Sequence, residues 1–234
     1  MDKRVQQVIV ALDVDSREEA LALARKLKDS GCALKVGLEL YATAGLEMVS
    51  RLKELEFRVF LDLKLHDIPT TVARTMRVLT RSGADWIDVH CSGGYEMMRQ
   101  AVLAAREEGE KTGYKPQVIG VTVLTSMDEC QLRQELGVGR TIDQQVLAFA
   151  ELAKEAGLQG VVASPREVAM LRRTLGDDFT LITPGIRPKW SAANDQVRVL
   201  TPSEAIASGS SLIVIGRPVT RAEDPLEALN RLWD

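Results

Sequence analysis

The feature that most restricts the fold of this chain is an alternation. Eight short runs rich in β-branched and other apolar residues recur at 8–14, 33–40, 58–65, 86–91, 117–125, 160–164, 180–186 and 211–216, with helical periodicity between them. Spacings of about 20–35 residues hold one helix and two short loops, the length of a repeated βα unit. The helical stretches include 16–30, 70–83 and 141–157, and the first opens on Ser16 with Glu19 three residues on, the spacing of a capping box. Eight such units in 234 residues, 45% of them hydrophobic and with no Ser/Pro-rich linker, predict one α/β domain over 1–234, a single (β/α)8 TIM barrel. An open doubly wound sheet would place a glycine-rich turn after the first strand, where this chain reads LDVDSREE.

A barrel of this kind collects its functional residues at the carboxyl ends of the strands. The third run continues as FLDLKLHDIPTT, residues 60–71. With period two, Leu61, Leu63 and Leu65 face one way and Asp62, Lys64 and His66 the other, so the polar face lines something other than a plain core. Asp13 follows the first run, Lys35 sits in the second, Asp67 lies just past the third, and Thr125 and Ser126 end the fifth. Structural ion pairs can explain any one of these. Charges of alternating sign on several strands at one level need partners to offset their desolvation, and Lys35, Asp62, Lys64 and Asp67 supply each other.

The loops after strands seven and eight of a barrel commonly hold a phosphate. Here they read PGIRP and GRPVT, offering Arg187, Gly216 for close backbone approach, and Arg217 for a bidentate pair. The segment 187–199 between strand seven and the next helix is long enough to serve as a lid, with Trp190 either packing it or simply exposed.

Charge narrows the partners. Thirty basic against 33 acidic side chains give a net charge of −3, which leaves no basic field for nucleic acid. No apolar run approaches the roughly 20 residues of a membrane helix, and the N-terminus has too few apolar positions for a signal peptide. Cys32, Cys91 and Cys130 are scattered without a C-x-x-C pair, as expected of reduced packing thiols. The expected location is cytoplasmic.

The motifs LDLKLHDIPTT, ALD at Asp13, LKVG at Lys35, TPGIR at 183–187, NDQVR at 194–198 and IGRPVT at 215–220 occur in order along the whole chain. Together they resemble the orotidine 5′-phosphate decarboxylases, whose D-x-K-x-x-D string matches Asp62, Lys64 and Asp67. The resemblance implies conversion of orotidine 5′-monophosphate to uridine 5′-monophosphate and carbon dioxide, the last step of de novo pyrimidine synthesis, with no metal, flavin or pyridoxal cofactor. It implies that Lys64 stabilises the carbanion left at the ring carbon and protonates it, that Asp62 lies beside the departing carboxylate, and that Lys35 bridges ribose and carboxylates. It further implies that Asp67 and Thr71 reach the neighbouring site of a homodimer and that Gln196 closes on the phosphate. Ile68 and Pro184 are expected against the substrate, and Asp13 is expected to accept the ribose hydroxyls. Thr125 and Ser126 face the ring amide in this reading, although Ser126 is equally placed to cap the helix near SMDECQ.

Two other readings use the same barrel. A metal-dependent sugar-phosphate epimerase or decarboxylase needs several His and Asp ligands, whereas the chain has two histidines. His90, beside Asp88 and Cys91, marks its one candidate corner, and His66 is expected to support the site by hydrogen bonding. A non-catalytic nucleotide sensor would have no need of a lysine set between carboxylates.

Overall fold

The computed structural model describes residues 3–191 and 200–234. Eight parallel strands close in sequence order into a barrel, with β1 paired to both β2 and β8. They are β1 (Val8–Ala11), β2 (Ala33–Val36), β3 (Arg58–Leu65), β4 (Trp86–His90), β5 (Gln117–Val121), β6 (Gly160–Val162), β7 (Thr180–Thr183) and β8 (Leu212–Ile215). All eight predicted runs are strands, and most end earlier than their apolar character suggests. The predicted run 33–40 stops at Val36 because Gly37 opens a helix there.

The helices are α1 (Arg17–Lys26), α2 (Leu38–Ala44), α3 (Glu47–Glu54), α4 (Pro69–Thr80), α5 (Gly94–Thr112), α6 (Glu129–Gln134), α7 (Ile142–Glu155), α8 (Val168–Leu175), α9 (Pro202–Ala207), α10 (Arg217–Thr220) and α11 (Pro225–Asn230). Their starts are written in the sequence. Thr141 and Gln144 form a reciprocal capping box on α7, and Asp128 and Gln131 do the same for α6. At α1 only half of the expected box forms. Ser16 Oγ accepts from the Glu19 N–H at 3.3 Å, but its hydroxyl donates to Glu18 Oε2 at 3.1 Å. Pro69 occupies the first turn of α4, where its missing N–H costs nothing.

The strands are largely apolar on both faces because one meets the helices and the other the barrel interior. The helix side is the larger core: α4, for example, buries Val72, Met76 and Leu79 there. Truncating fully buried Met76 to alanine would cost about 2–5 kcal/mol. A smaller cluster plugs the interior, formed by Ile9, Ala33, Phe60, Trp86, Ile119, Ile182 and Leu212. Two residues beyond the plug, on the same face of β2, β3 and β4, stand Lys35, Asp62 and Asp88. The plug is thus the dry floor under a set of charged groups.

Candidate active site

The charged groups form a chain across the mouth of the barrel. Lys35 Nζ lies 3.0 Å from Asp13 Oδ1 and 3.3 Å from Asp62 Oδ2, and Lys64 Nζ donates to Asp62 Oδ1. A carboxylate from β3 is therefore gripped by two ammonium groups, one from its own strand and one from β2. A cavity of about 190 Å³ opens over it, lined by Lys35, Asp62, Lys64, Val121, Val123, Thr125, Val162 and Pro184 among others. Its wall is mostly aliphatic, which strengthens electrostatic interactions inside.

Burial and charge oppose each other here. Burial alone would push the Asp62 carboxyl up, but Lys35, Asp88 and Lys64 together hold it below the usual carboxylate value. Burial would likewise push the Lys35 ammonium down, and the charges of Asp62 and Asp13 raise it instead. Lys35, with 9% of its surface exposed, stays charged because two acids face it.

The period-two reading of β3 holds through Asp62 and then fails. Lys64 has φ of 52°, in the left-handed region that a side-chain-bearing residue seldom adopts, and the β3–β4 register shifts between Leu61 and Leu65. What holds this turn is Asp88 on β4, whose Oδ1 accepts the N–H groups of both Leu63 and Lys64, at 2.9 and 2.8 Å. Asp88 is fully buried. In the sequence Asp88 stands out only as part of the corner beside His90 and Cys91. Its signal was its parity with Trp86, which points into the barrel from the same strand.

Gly37 gives no such signal in the sequence. A Cβ there would sit 2.7 Å from Lys35 Nζ, so only glycine lets the ammonium reach both acids undisturbed.

The other expected residues divide into groups. Thr125 and Pro184 line the cavity with Lys35, Asp62 and Lys64. Gly216 stands beside Asp13, its position 3.8 Å from Asp13 Oδ2 measured from an added Cβ, and it opens α10, whose first residue is Arg217. Arg187 follows β7, and its N–H donates to the Leu200 carbonyl at 3.0 Å. β7 and β8 are paired, so the loops bearing Arg187 and Arg217 leave adjacent strands. Asp67, Ile68 and Thr71 are exposed on the rim at the start of α4 and do not line this cavity. Asp67 Oδ1 accepts from the Ile68 N–H at 2.6 Å. Ser126 is exposed in the turn after β5 and does not cap α6, since Asp128 does. Gln196 lies outside the described residues.

Trp190 packs on the C-terminal segment: its Nε1 donates to the Arg231 carbonyl at 2.9 Å, and the Arg231 guanidinium stands 5.4 Å from its ring centroid. The corner at His90 gathers no ligand set. Among the described residues, no group of three or more His, Cys, Asp or Glu side chains is placed to hold a metal ion. His90 instead faces His66 at 5.4 Å between ring centroids. His66 is exposed at the strand end rather than turned inward with Lys64.

Comparison with known proteins bears on the same architecture. Residues 6–232 match the model of the orotidine 5′-phosphate decarboxylase / HUMPS family. The chain is 49% identical over 226 residues to an orotidine 5′-phosphate decarboxylase of Alkalilimnicola ehrlichii, covering 97% of this chain and 94% of that one. It is 44% identical over 227 residues to the enzyme of that name from Heliobacterium modesticaldum, covering 97% and 93%. The crystal structure of orotidine 5′-phosphate decarboxylase from Lactobacillus acidophilus superposes with a TM-score of 0.86 at 39% identity, covering 96% of each chain.

Proposed function

The chain belongs to the orotidine 5′-phosphate decarboxylase family, and from that premise we propose how its own residues carry the reaction. The enzyme removes the 6-carboxylate of orotidine 5′-monophosphate as carbon dioxide and yields uridine 5′-monophosphate, a step of pyrimidine biosynthesis. The chemical obstacle is that breaking the ring–carboxylate bond leaves an electron pair on a ring carbon with little resonance relief. A fixed cation beside that carbon stabilises the developing charge more than it stabilises the substrate, which is the condition for acceleration.

Lys64 is that cation in our reading. One observation carries it: a lysine whose ammonium is tied to a mostly buried carboxylate at the base of a largely aliphatic cavity, with a second lysine on that carboxylate's other oxygen. Lys64 then delivers a proton to the carbon, replacing the lost carboxylate. Asp62 lies beside the departing group and keeps the Lys64 ammonium aimed. Lys35, with Asp13, receives the ribose hydroxyls, for which one carboxylate has enough lone pairs. Thr125 and Ser126 meet the pyrimidine edge from the turn after β5, and Ile68 and Pro184 contact the substrate.

The phosphate is gripped where β7 and β8 end, by Arg187, Gly216 and Arg217, with Gln196 of the segment 187–199 joining them. Binding energy gathered at this remote group is used at the reacting carbon. The exposed Asp67 and Thr71 complete the site of a second copy, so the working unit is a homodimer. Buried, unpaired Cys32 and Cys91 support a cytoplasmic location. No helix among the described residues is long and apolar enough to cross a membrane. The metal-dependent sugar-phosphate reading gains no support from the relatives, nor from the side chains at the His90 corner.

The test is the ultraviolet change of orotidine 5′-monophosphate with purified protein in excess chelator, beside Lys64→Ala. The parent turns over and the variant loses at least about a thousandfold in kcat, with similar melting. Full activity in the variant removes Lys64 from this role, and loss of parent turnover in chelator reopens the metal reading.

A further inference from the structure

Asp88 is a charged residue type in a place where burial disfavours charge. Its side chain is fully buried on β4, facing the interior of the barrel. Oδ1 is satisfied twice, by the Leu63 and Lys64 N–H groups. Oδ2 is equally buried and receives no hydrogen bond. Asp62 is its neighbour on the next strand: Phe60 and Trp86 are register partners, and Asp62 and Asp88 each stand two residues beyond them on the same face. If both acids were ionised, two acceptors would face each other without a donor, which a buried site does not sustain.

The two acids are not equivalent. Asp62 accepts from Lys64 Nζ on one oxygen and lies 3.3 Å from Lys35 Nζ on the other. Asp88 has only neutral backbone donors. One proton between them therefore sits on Asp88. The groups facing Asp88 are Asp62 and Lys64 from β3, with Lys35 of β2 behind Asp62. His90 stands two residues on along its own strand, packed against His66. From β5 the register partner of Asp88 is Ile119, which carries no charge. Burial and the Asp62 charge both push the Asp88 carboxyl well above the usual carboxylate range, the same direction as the geometry.

We propose that Asp88 keeps its proton at neutral pH and donates it from Oδ2 to the Asp62 carboxylate, acting as a positioning residue for both Asp62 and the Lys64 turn. The inference rests on the catalytic reading of Lys64 and Asp62 above and adds a residue to it. Within this chain, a neutral Asp88 leaves Lys35 and Lys64 balanced by Asp13 and Asp62. An ionised one would add a negative charge behind Asp62, drawing down the positive potential that the substrate carboxylate and the nascent carbanion meet. The same neutral acid anchors the left-handed backbone of Lys64, so the ammonium's direction and its field are set by one side chain.

Asn is the isostere that distinguishes this role from mere filling, because its carbonyl can accept the two backbone N–H groups while its amide donates permanently to Asp62. In D2O at pH 7, the infrared difference between parent and Asp88→Asn should show a carboxylic-acid C=O band in the parent. Glu167, which burial raises to about 7, is common to both proteins and cancels. kcat/KM of Asp88→Asn should stay within about threefold of the parent, whereas Asp88→Ala, which removes both the anchor and the donor, should lose at least about a hundredfold. An ionised-carboxylate band assigned to Asp88 at pH 7 overturns the proposal. So does a loss in Asp88→Asn as large as in Asp88→Ala, or as large as a hundredfold should the alanine variant not fold. Because the infrared signal needs no substrate, absence of parent turnover would strike the functional reading while leaving the protonation result to stand separately.

Discussion

Placing alanine at Gly37 perturbs the charge cluster by one methyl group and nothing else. The backbone there has φ of −93° and ψ of −175°, extended geometry that alanine adopts freely, so no conformational strain is added. The new methyl would stand 2.7 Å from Lys35 Nζ and 3.6 Å from Asp13 Oδ1. Ordinary contact begins near 3.4 Å, so the ammonium must retreat by about 0.7 Å, a displacement of the size that can cost on the order of 10²-fold in rate. It cannot retreat freely. It is tied to Asp13 at 3.0 Å and Asp62 at 3.3 Å, and lengthening either contact loosens the carboxylate that aims Lys64. The expected result is a fall in kcat of roughly a hundredfold, about 2.7 kcal/mol of barrier, with a melting temperature close to the parent's because the lysine tip rather than the packed core absorbs the change. Steady-state kcat and KM from the ultraviolet assay, with a thermal melt on the same samples, measure both. A kcat within about twofold of the parent would refute the claim that Lys35 must sit between the two acids.

Three further perturbations test the remaining parts of the site. Asp62→Ala leaves the Lys35 and Lys64 ammoniums facing each other without their shared counter-ion. Stability should fall by about 3–5 kcal/mol, seen as a lower midpoint in denaturant, with activity lost. Arg217→Ala should raise KM for orotidine 5′-monophosphate by about tenfold or more and leave turnover of the phosphate-free nucleoside unchanged, and equal effects on the two would remove Arg217 from the phosphate. The third concerns pH. A carboxyl whose folded-state pKa is raised binds its proton in the native state after the unfolded chain has released it, so its contribution to stability is full below the unfolded value of about 3.9 and falls as pH rises toward the folded one. The parent should therefore lose about 1.4 kcal/mol per pH unit relative to Asp88→Asn across that window. Urea titrations of both proteins between about pH 5 and pH 8 check the slope, and parallel curves would contradict it.

The barrel was legible because its signal is repetition. Eight apolar runs survive errors in any one boundary, and the closure of β1 on β8 follows from their number and from the missing glycine-rich turn. The cluster was legible for the opposite reason, that charges on the inward face of strands are too costly to be incidental, and Lys35, Asp62 and Lys64 do meet over one cavity. What escaped notice are residues that act through backbone geometry. Gly37 carries no side chain to attract attention, and its importance appears only when Lys35 Nζ is seen to occupy the space a Cβ would need. Ser126, equally placed in sequence to face the ring amide or to cap a helix, leaves the cap to Asp128, two residues on, which completes the box with Gln131.

Asp88 shows why the last part of the site required coordinates. In sequence, WIDVHC suggests a metal corner, since Asp, His and Cys lie within four residues. In space, Asp88 points at β3 and spends one oxygen on a backbone turn that period two does not predict, the left-handed Lys64. Left-handed backbone at a residue with a Cβ costs about 1–2 kcal/mol, and two hydrogen bonds to a buried acceptor offset a cost of that size. From this turn the Lys64 ammonium donates to Asp62. On the proposed role of Lys64, its charge, its left-handed backbone and the acid that anchors that backbone form one unit spanning β3 and β4. Alteration of any member should be felt at the reacting carbon before it is felt in the barrel.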